Sequence, residues 1–335
     1  MKKGVSVIIP CRNEKIYIEQ CINSLIDNDY PKDKLEIIIV DGNSDDGTIE
    51  IINELISKHP FIRIINNPKK ITPVALNLGI KNANFEYVMI AGAHALYSSN
   101  YISSLEDNIK KLSADGVGGM LITKVKNETY KSMSIVAVLS NKFGVGNSLF
   151  RIGVKNAQLV DTVPFGLYKK ELFQKVGCYD ERLIRNHDIE LSKRMIAAGS
   201  KIYLIPDLYC TYYARETFRD IAKNNYRNGY WNILTTYYTK SFKSLSLRHF
   251  VPLIFLLSIV FPLVLSLLLK PISIFLFLVV FFTYNIFLIF ASLSEKNKST
   301  KFKFLFFCFY ILHFSYGIGS FVGLFRVKTL FKAKN

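Results

Sequence analysis

LEIIIVDGNSDDGT, residues 35–48, is the stretch on which the fold turns. Leu35 to Val40 form an unbroken apolar run rich in β-branched residues, the kind that makes a strand buried on both faces of a parallel sheet. The run stops at Asp41. The polar set that follows, with Gly47 for backbone freedom and Asp or Ser for an N-cap, reads as a turn into a helix. Outward from there, VSVIIP (5–10) is a second such strand, and Ile16 to Ile26 carries Ile18, Cys21, Ile22 and Leu25 at helical spacing. A helix over 47–58, the strand FIRIIN (61–66), a helix over 73–83 and the strand FEYVMI (85–90) continue the alternation. This order predicts an α/β fold with a parallel, right-handed, doubly wound sheet, whose ligands gather beyond the carboxyl ends of the strands. The polar clusters fall at those ends: PCRNE (10–14), DGNSDDGT (41–48), and IAGAHALY (90–97) with His94.

The chain has 335 residues, 50% of them hydrophobic, with 26 Phe and 19 Tyr, a content that predicts contact with lipid. A net charge of +17 suits nucleic acid, anionic headgroups or phosphorylated substrates. There is no zinc-finger spacing and no recognition-helix pattern, so nucleic acid is not expected as a partner. Cys11, Cys21, Cys178, Cys210 and Cys308 are odd in number, scattered and free of Cys-x-x-Cys pairs, which argues against a disulfide framework or structural zinc and for a reducing, cytosolic setting. The opening MKKGVSVIIPCRNE has an apolar run only a strand long, ended by Pro10, and is not read as a signal peptide. In DGNSDDGT the alternation of Asp41, Asn43 and Asp45 suggests a calcium loop, but Asp46 stands where the loop needs Gly and Ile52 where it needs Glu.

VSVIIPCRNE, then IIIVDGNSDDGT, then NPKKITPVALNLGI (67–80) resemble, in order and register, the inverting family 2 glycosyltransferases of the GT-A fold, in their succinoglycan-type polysaccharide-synthesis branch. VDTVPFGLYKKELFQKVGCYDERLIRNHDIEL (160–191) is similar to the family's acceptor-side segment, with His187-Asp188 where relatives read Glu-Asp or Gln-Asp. YRNGYW (226–231) looks like a counterpart of the Gln-x-x-Arg-Trp motif, keeping Arg227 and Trp231 at altered spacing. The resemblance implies a Rossmann-like GT-A domain and a set of roles. Asp188 would be the catalytic base, Asp41 would bind the nucleotide base, and Pro10, Arg12 and Glu14 would line the nucleoside pocket with Asp46. Arg227 and Trp231 would serve the acceptor and diphosphate side. Taken alone, Asp188 also suits a helix start, where the dipole favours a carboxylate, and Arg12 with Glu14 suits an exposed ion pair.

Glycosyl transfer from a nucleoside diphosphate requires a base for the acceptor hydroxyl and stabilisation of the departing diphosphate. In relatives of this branch the strand before His94 ends Asp-Ala-His-Ala, in place of the Asp-x-Asp metal motif of the wider family. Here Gly92 occupies the acid's position. The implied cofactor is a divalent cation, Mn²⁺ or Mg²⁺, with an imidazole favouring Mn²⁺. Three readings of His94 stay open: metal ligand, hydrogen-bond donor to the diphosphate, or a ring packed under Tyr97.

The last third changes character. FVPLIFLLSIVFPLVLSLLL (250–269), ISIFLFLVVFFTYNIFLIFAS (272–292) and FLFFCFYILHFSYGIGSFVGLF (304–325) are uncharged runs near the length that spans a bilayer, with Lys270-Pro271 expected as a hairpin between the first two. Gly317, Gly319 and Gly323 suit close helix contact or a re-entrant turn in the third. Lys240, Lys243 and Arg248, like Lys296, Lys298, Lys301 and Lys303, read as cytoplasmic; so do Arg326, Lys328, Lys332 and Lys334, which three full spans would not allow. The expected organisation is a cytosolic GT-A domain over 1–240 and a membrane domain over 250–325, in a multi-pass protein of the inner (plasma) membrane. The expected function is transfer of a sugar from a nucleotide sugar, by resemblance a UDP-sugar, to a lipid-linked saccharide. The alternatives are transfer to polyprenyl phosphate itself, or a non-catalytic nucleotide-sugar-binding membrane protein.

Overall fold

The computed structural model describes residues 2–266 and 271–332. The chain divides into two compact units, Met1–Ile122 with Leu149–Tyr213, and Thr123–Ser148 with Ala214–Asn335. Among the described residues one sheet of nine strands forms: β1 (Lys2–Cys11), β2 (Leu35–Asp41), β3 (Ile62–Asn66), β4 (Phe85–Ile90), β5 (Ala95–Tyr97), β6 (Gly116–Lys124), β7 (Gln158–Leu159), β8 (Leu167–Lys169) and β9 (Ile202–Tyr213). Their order is β3-β2-β1-β4-β8-β6-β9-β5, with β7 beside β9.

The first four strands are parallel, as the alternation of strands and helices requires. Register carries the pairing Cys11↔Asp41 and Asp41↔Asn66, so the polar clusters finish side by side. The second half of the sheet is mixed, with β8 antiparallel to both β4 and β6, and β5 and β7 antiparallel to β9. Only Ala91 to His94 separate β4 from β5 in sequence, yet the two do not pair, and β5 lies at the far edge beside β9.

Both faces of the parallel strands are buried, and the side chains divide by alternation. Val5, Val7 and Ile9 of β1, with Ile37 and Ile39 of β2, pack toward the helices Ile18–Ile26, Thr48–Lys58 and Tyr101–Lys111. Ile8, Ile38 and Val40 face the helices Thr72–Asn82 and His187–Ala197. The helix starts follow local chemistry. Gly47 takes a φ of 95° at the N-cap of Thr48–Lys58, and Pro73 sits in the first turn of Thr72–Asn82.

One buried acid ties the parallel strands together. Glu36 accepts hydrogen bonds from Ser6 Oγ (2.6 Å), Asn84 N (2.6 Å) and Arg63 Nη2 (3.1 Å). Burial pushes its pKa up, but these donors outweigh burial and the net shift is downward. A depressed carboxylate adds stability above its unfolded pKa of about 4.3, and that stability is lost as pH falls through the lower folded value. Glu36→Gln should therefore cost about 2 kcal/mol at pH 7 and little at pH 3. Urea unfolding at the two pH values checks this, and an equal loss at both would contradict it.

In the second unit the helix Phe218–Thr239 begins at Thr217, whose side chain accepts from Asp220 N at 3.1 Å. Three further helices, Val251–Leu265, Ile272–Ser294 and Phe302–Lys332, follow. Leu247–Leu265, Ile272–Ser294 and Phe302–Leu330 are long and apolar enough to cross a membrane. The third is continuous, without the break that a re-entrant turn would need. Close contact with Phe218–Thr239 uses glycines of both helices instead: a Cβ at Gly319 would lie 2.0 Å from Tyr226 O, and one at Gly229 of the facing helix 1.9 Å from Tyr316 O. Ser320 Oγ adds a hydrogen bond to Gly229 O at 3.1 Å. Lys270 of the expected Lys270-Pro271 hairpin, the end of the first apolar run over 267–269, and Lys334 in the tail lie outside the described residues.

Candidate active site

Two cavities open beyond the carboxyl ends of β1, β2 and β4, and they meet at Pro10, Thr72 and Gly92. The first, of about 250 Å³, takes Pro10, Arg12 and Glu14 from the end of β1 and its loop, and His94 from the loop after β4. Asn67, Lys70 and Thr72 close it from the loop after β3. The second, of about 310 Å³, is lined by Asp188 and His187 at the start of their helix, and by Arg151, Tyr168, Tyr179 and Tyr212.

Pro10, Arg12, Glu14 and His94 thus share one cavity, and Asp188 lies in the adjoining one. Asp41 and Asp46 line neither. The Asp41 carboxylate, 3% exposed, accepts from Ser44 N at 2.9 Å and from Ser44 Oγ, and holds the loop after β2. Asp46 accepts from Thr48 N at 3.0 Å and Lys15 N at 3.2 Å, and its hydrogen bond to Thr48 is the main reason its pKa is lowered. Arg227 and Trp231 sit on Phe218–Thr239 in the second unit and line neither cavity.

Glu14 does not pair with Arg12. Its Oε1 lies 3.4 Å from His94 Nδ1. The His94 ring packs against Tyr212 (centroids 5.2 Å) and edge-on to Tyr17 (6.3 Å), and not under Tyr97, whose hydroxyl instead accepts from Gly92 N at 2.8 Å. Phe165 fills the space where an acid at position 92 would project. A Cβ on Gly92 would come within 2.5 Å of Phe165 Cε1, and Phe165 itself holds a φ of 46° with its ring edge-on to Tyr97. Gly92 is not among the positive-φ glycines, so space and not backbone conformation excludes a larger residue there. Gly92→Asp should cost about 2 kcal/mol and reduce transfer, while Gly92→Asp with Phe165→Ala should recover stability and tighten Mn²⁺ binding. Thermal unfolding with and without Mn²⁺ tests the pair. A single variant as stable as the parent would contradict the steric account.

Residues to which the sequence reading assigned no role stand out by their unmet valence. Asn67 is 1% exposed, gives its Nδ2 to Ile71 O at 3.0 Å, and leaves Oδ1 buried without a hydrogen-bond partner. Its place beside Pro68 in the quoted NPKK stretch was the available signal. His187 Nδ1 is also buried without a partner, its ring edge-on to Tyr179 at 5.6 Å, and burial lowers the imidazole's pKa. Tyr168 and Tyr179 are pushed up chiefly by burial, with the nearby Asp188 charge adding to both. Cys11, in the first cavity, has its thiol pKa pushed up by burial and then by Asp41, which favours the protonated form.

The helix carrying Asp188 is fastened from behind. Glu190, 4% exposed, accepts from Arg194 Nε at 2.6 Å, and the same guanidinium donates to Val176 O (2.6 Å) and Cys178 O (2.8 Å). Asn77 then grips Tyr179 through both main-chain groups, at 2.9 Å each. The base candidate therefore stands on a rigid frame next to a cavity with aromatic walls.

The family model described as Glycosyl transferase family 2 matches residues 6–177. The chain is 32% identical over 248 residues to the dolichyl N-acetyl-alpha-D-glucosaminyl phosphate 3-beta-D-2,3-diacetamido-2,3-dideoxy-beta-D-glucuronosyltransferase of Methanococcus voltae, covering 69% of this chain and 76% of that protein. It is 31% identical over 211 residues to the succinoglycan biosynthesis protein ExoA of Rhizobium meliloti, covering 62% of this chain and 63%, less than two thirds, of that protein. Among solved structures, the mannosyltransferase PcManGT of Pyrobaculum calidifontis, in complex with GDP-Man and Mn²⁺, aligns over 96% of this chain and 88% of that one with a TM-score of 0.63 and 15% identity, a likeness of fold.

Proposed function

The chain belongs to glycosyl transferase family 2 and is a glycosyltransferase, and from that premise we propose that it transfers a sugar from a nucleotide donor to a lipid-linked saccharide with inversion at the anomeric carbon. The observation that carries this reading is the joining of the two cavities at Pro10, Thr72 and Gly92, which gives a nucleoside and an acceptor one shared wall. The nucleoside occupies the first cavity, where the unpartnered Asn67 Oδ1 accepts an N–H from the base; uracil offers one. The sugar lies at the junction, and the acceptor hydroxyl enters the second cavity.

There Asp188 takes the hydroxyl proton as the acceptor oxygen attacks the anomeric carbon and the nucleoside diphosphate leaves from the opposite side. His187 offers an imidazole nitrogen as a hydrogen-bond acceptor beside it. No covalent sugar–enzyme bond is required, in keeping with a thiol at Cys11 held protonated.

A divalent cation fits what remains of the metal position only as a two-donor site. Among the described residues no group of three or more His, Cys, Asp or Glu is assembled to hold an ion. His94 Nδ1 and Glu14 Oε1, 3.4 Å apart, are the protein groups that would hold the ion, together with oxygens of the donor's diphosphate. Bound there, the ion would neutralise charge on the leaving diphosphate.

The stretch 1–240 would face the cytosol, and 250–325 would hold it to the plasma membrane beside a lipid-borne acceptor. Calorimetry on the full chain in detergent tests the donor half of the proposal. UDP should bind with a Kd in the micromolar range and Asn67→Leu should weaken it at least about tenfold, the scale of an unpaired buried polar contact. Failure of UDP and of GDP alike to bind would count against a nucleotide-sugar donor.

A further inference from the structure

The helix Tyr130–Leu139 is apolar but too short to cross a bilayer, and it belongs to the same compact unit as the three helices that are long enough. Its buried side chains Ile135 and Val138 pack in one cluster with Leu288 of Ile272–Ser294 and Phe309 of Phe302–Lys332. Those partners give its depth. Leu288 lies about two turns before Glu295, and Phe309 about two turns after Lys303, so each sits about 10 Å inside the charge that bounds its apolar run. Two different helices thus give the same level, one at which a spanning helix is surrounded by hydrocarbon.

The segment suits that setting. From Ile135 to Leu139 every side chain is apolar, and Met133 and Val136 form a half-buried apolar face on the side opposite Ile135 and Val138. Ser132 Oγ donates to Asn127 O and Ser134 Oγ to Tyr130 O, both at 2.6 Å, so neither hydroxyl needs water. Next, the short helix Lys142–Val145 sets the Phe143 ring edge-on to Phe287 at 5.0 Å. His313, nearly three turns from Lys303, donates from Nε2 to Phe143 O at 2.8 Å and so satisfies a main-chain carbonyl that hydrocarbon would leave unpaired. Tyr130 and Asn141 mark where the helix meets the charged level. Lys301 lies over the Tyr130 ring at 4.0 Å, and Asn141 Nδ2 donates to Glu295 Oε1 at 2.5 Å.

We propose that residues 130–145 are embedded in the lipid leaflet bounded by residues 295–303, with acyl chains covering the face made by Met133 and Val136. The proposal rests on the reading of the three apolar helices as membrane spans, and adds a lipid-contacting element too short to be one.

The test places one tryptophan at a time in the full chain after Trp231→Phe, since Trp231 is the chain's single tryptophan, and reconstitutes each variant in phosphatidylcholine vesicles brominated on the acyl chains. Ile286→Trp, at an exposed position of Ile272–Ser294, marks contact with lipid, and Lys81→Trp, exposed near the end of Thr72–Asn82 in the sheet unit, marks its absence. Val136→Trp should be quenched at least about half as strongly as Ile286→Trp. Phe143→Trp should behave alike, and supplies the reading if Val136→Trp does not fold. Quenching of both no stronger than that of Lys81→Trp, beside a strongly quenched Ile286→Trp, overturns the proposal. An Ile286→Trp that is itself unquenched instead overturns the membrane-span reading on which the proposal rests.

Discussion

Asp188→Asn will retain the fold and the affinity for UDP while lowering sugar transfer by at least about 100-fold, the usual scale of positioned acid–base help. The amide has the size of the carboxylate but cannot take the acceptor's proton. Structural damage is not expected, because Asp188 is exposed in the first turn of its helix while the buried Glu190–Arg194 pair fastens that helix to the fold. Steady-state transfer measured beside UDP binding separates the two effects. Near-normal turnover in a variant that binds UDP would remove Asp188 from the chemistry.

Chelation should abolish transfer, a loss of at least about 100-fold, and Mn²⁺ should restore it better than Mg²⁺, because an imidazole suits Mn²⁺ and Gly92 supplies no carboxylate. His94→Ala and Glu14→Gln should each raise the Mn²⁺ concentration needed for half-maximal rate by about tenfold or more. The two effects should not add fully, since either change dismantles the same two-donor site. Transfer that continues in the presence of chelator would sink the metal reading and leave His94 as a hydrogen-bond donor to the diphosphate.

Much of the parallel half was legible in the sequence, because β1 and β2 are buried on both faces and read as long apolar runs, and β3 and β4 follow them at short spacing. The strand at 85–90 appears where FEYVMI places it, and the helix expected over 73–83 runs Thr72–Asn82. The mixed half was not legible. β7 and β8 are two and three residues long, below the length at which periodicity distinguishes a strand from a loop. Nor does chain order reveal that Thr123–Ser148 belongs to the compact unit of the carboxyl-terminal helices, where Ile135 and Val138 pack with Leu288 and Phe309. A chain ended near residue 240 would expose that apolar face.

Within the candidate site, the motifs identified the residues at strand ends but not their partners. Glu14 and His94 are far apart in sequence, so their approach depends on the β1–β4 pairing that brings the two loops together. In the acidic cluster after β2 the sequence does not show the partners: Asp41 is engaged by Ser44, and Asp46 by Thr48 and by Lys15 N.

The central claim, transfer from a nucleotide sugar to a lipid-borne acceptor, is tested most directly by incubating membranes that contain the full chain with a panel of radiolabelled nucleotide sugars and then extracting the lipids. Label from one donor should enter the lipid fraction with the wild-type chain and stay water-soluble with Asp188→Asn. Label that remains water-soluble with every donor, or enters lipid equally with the variant, would contradict the account.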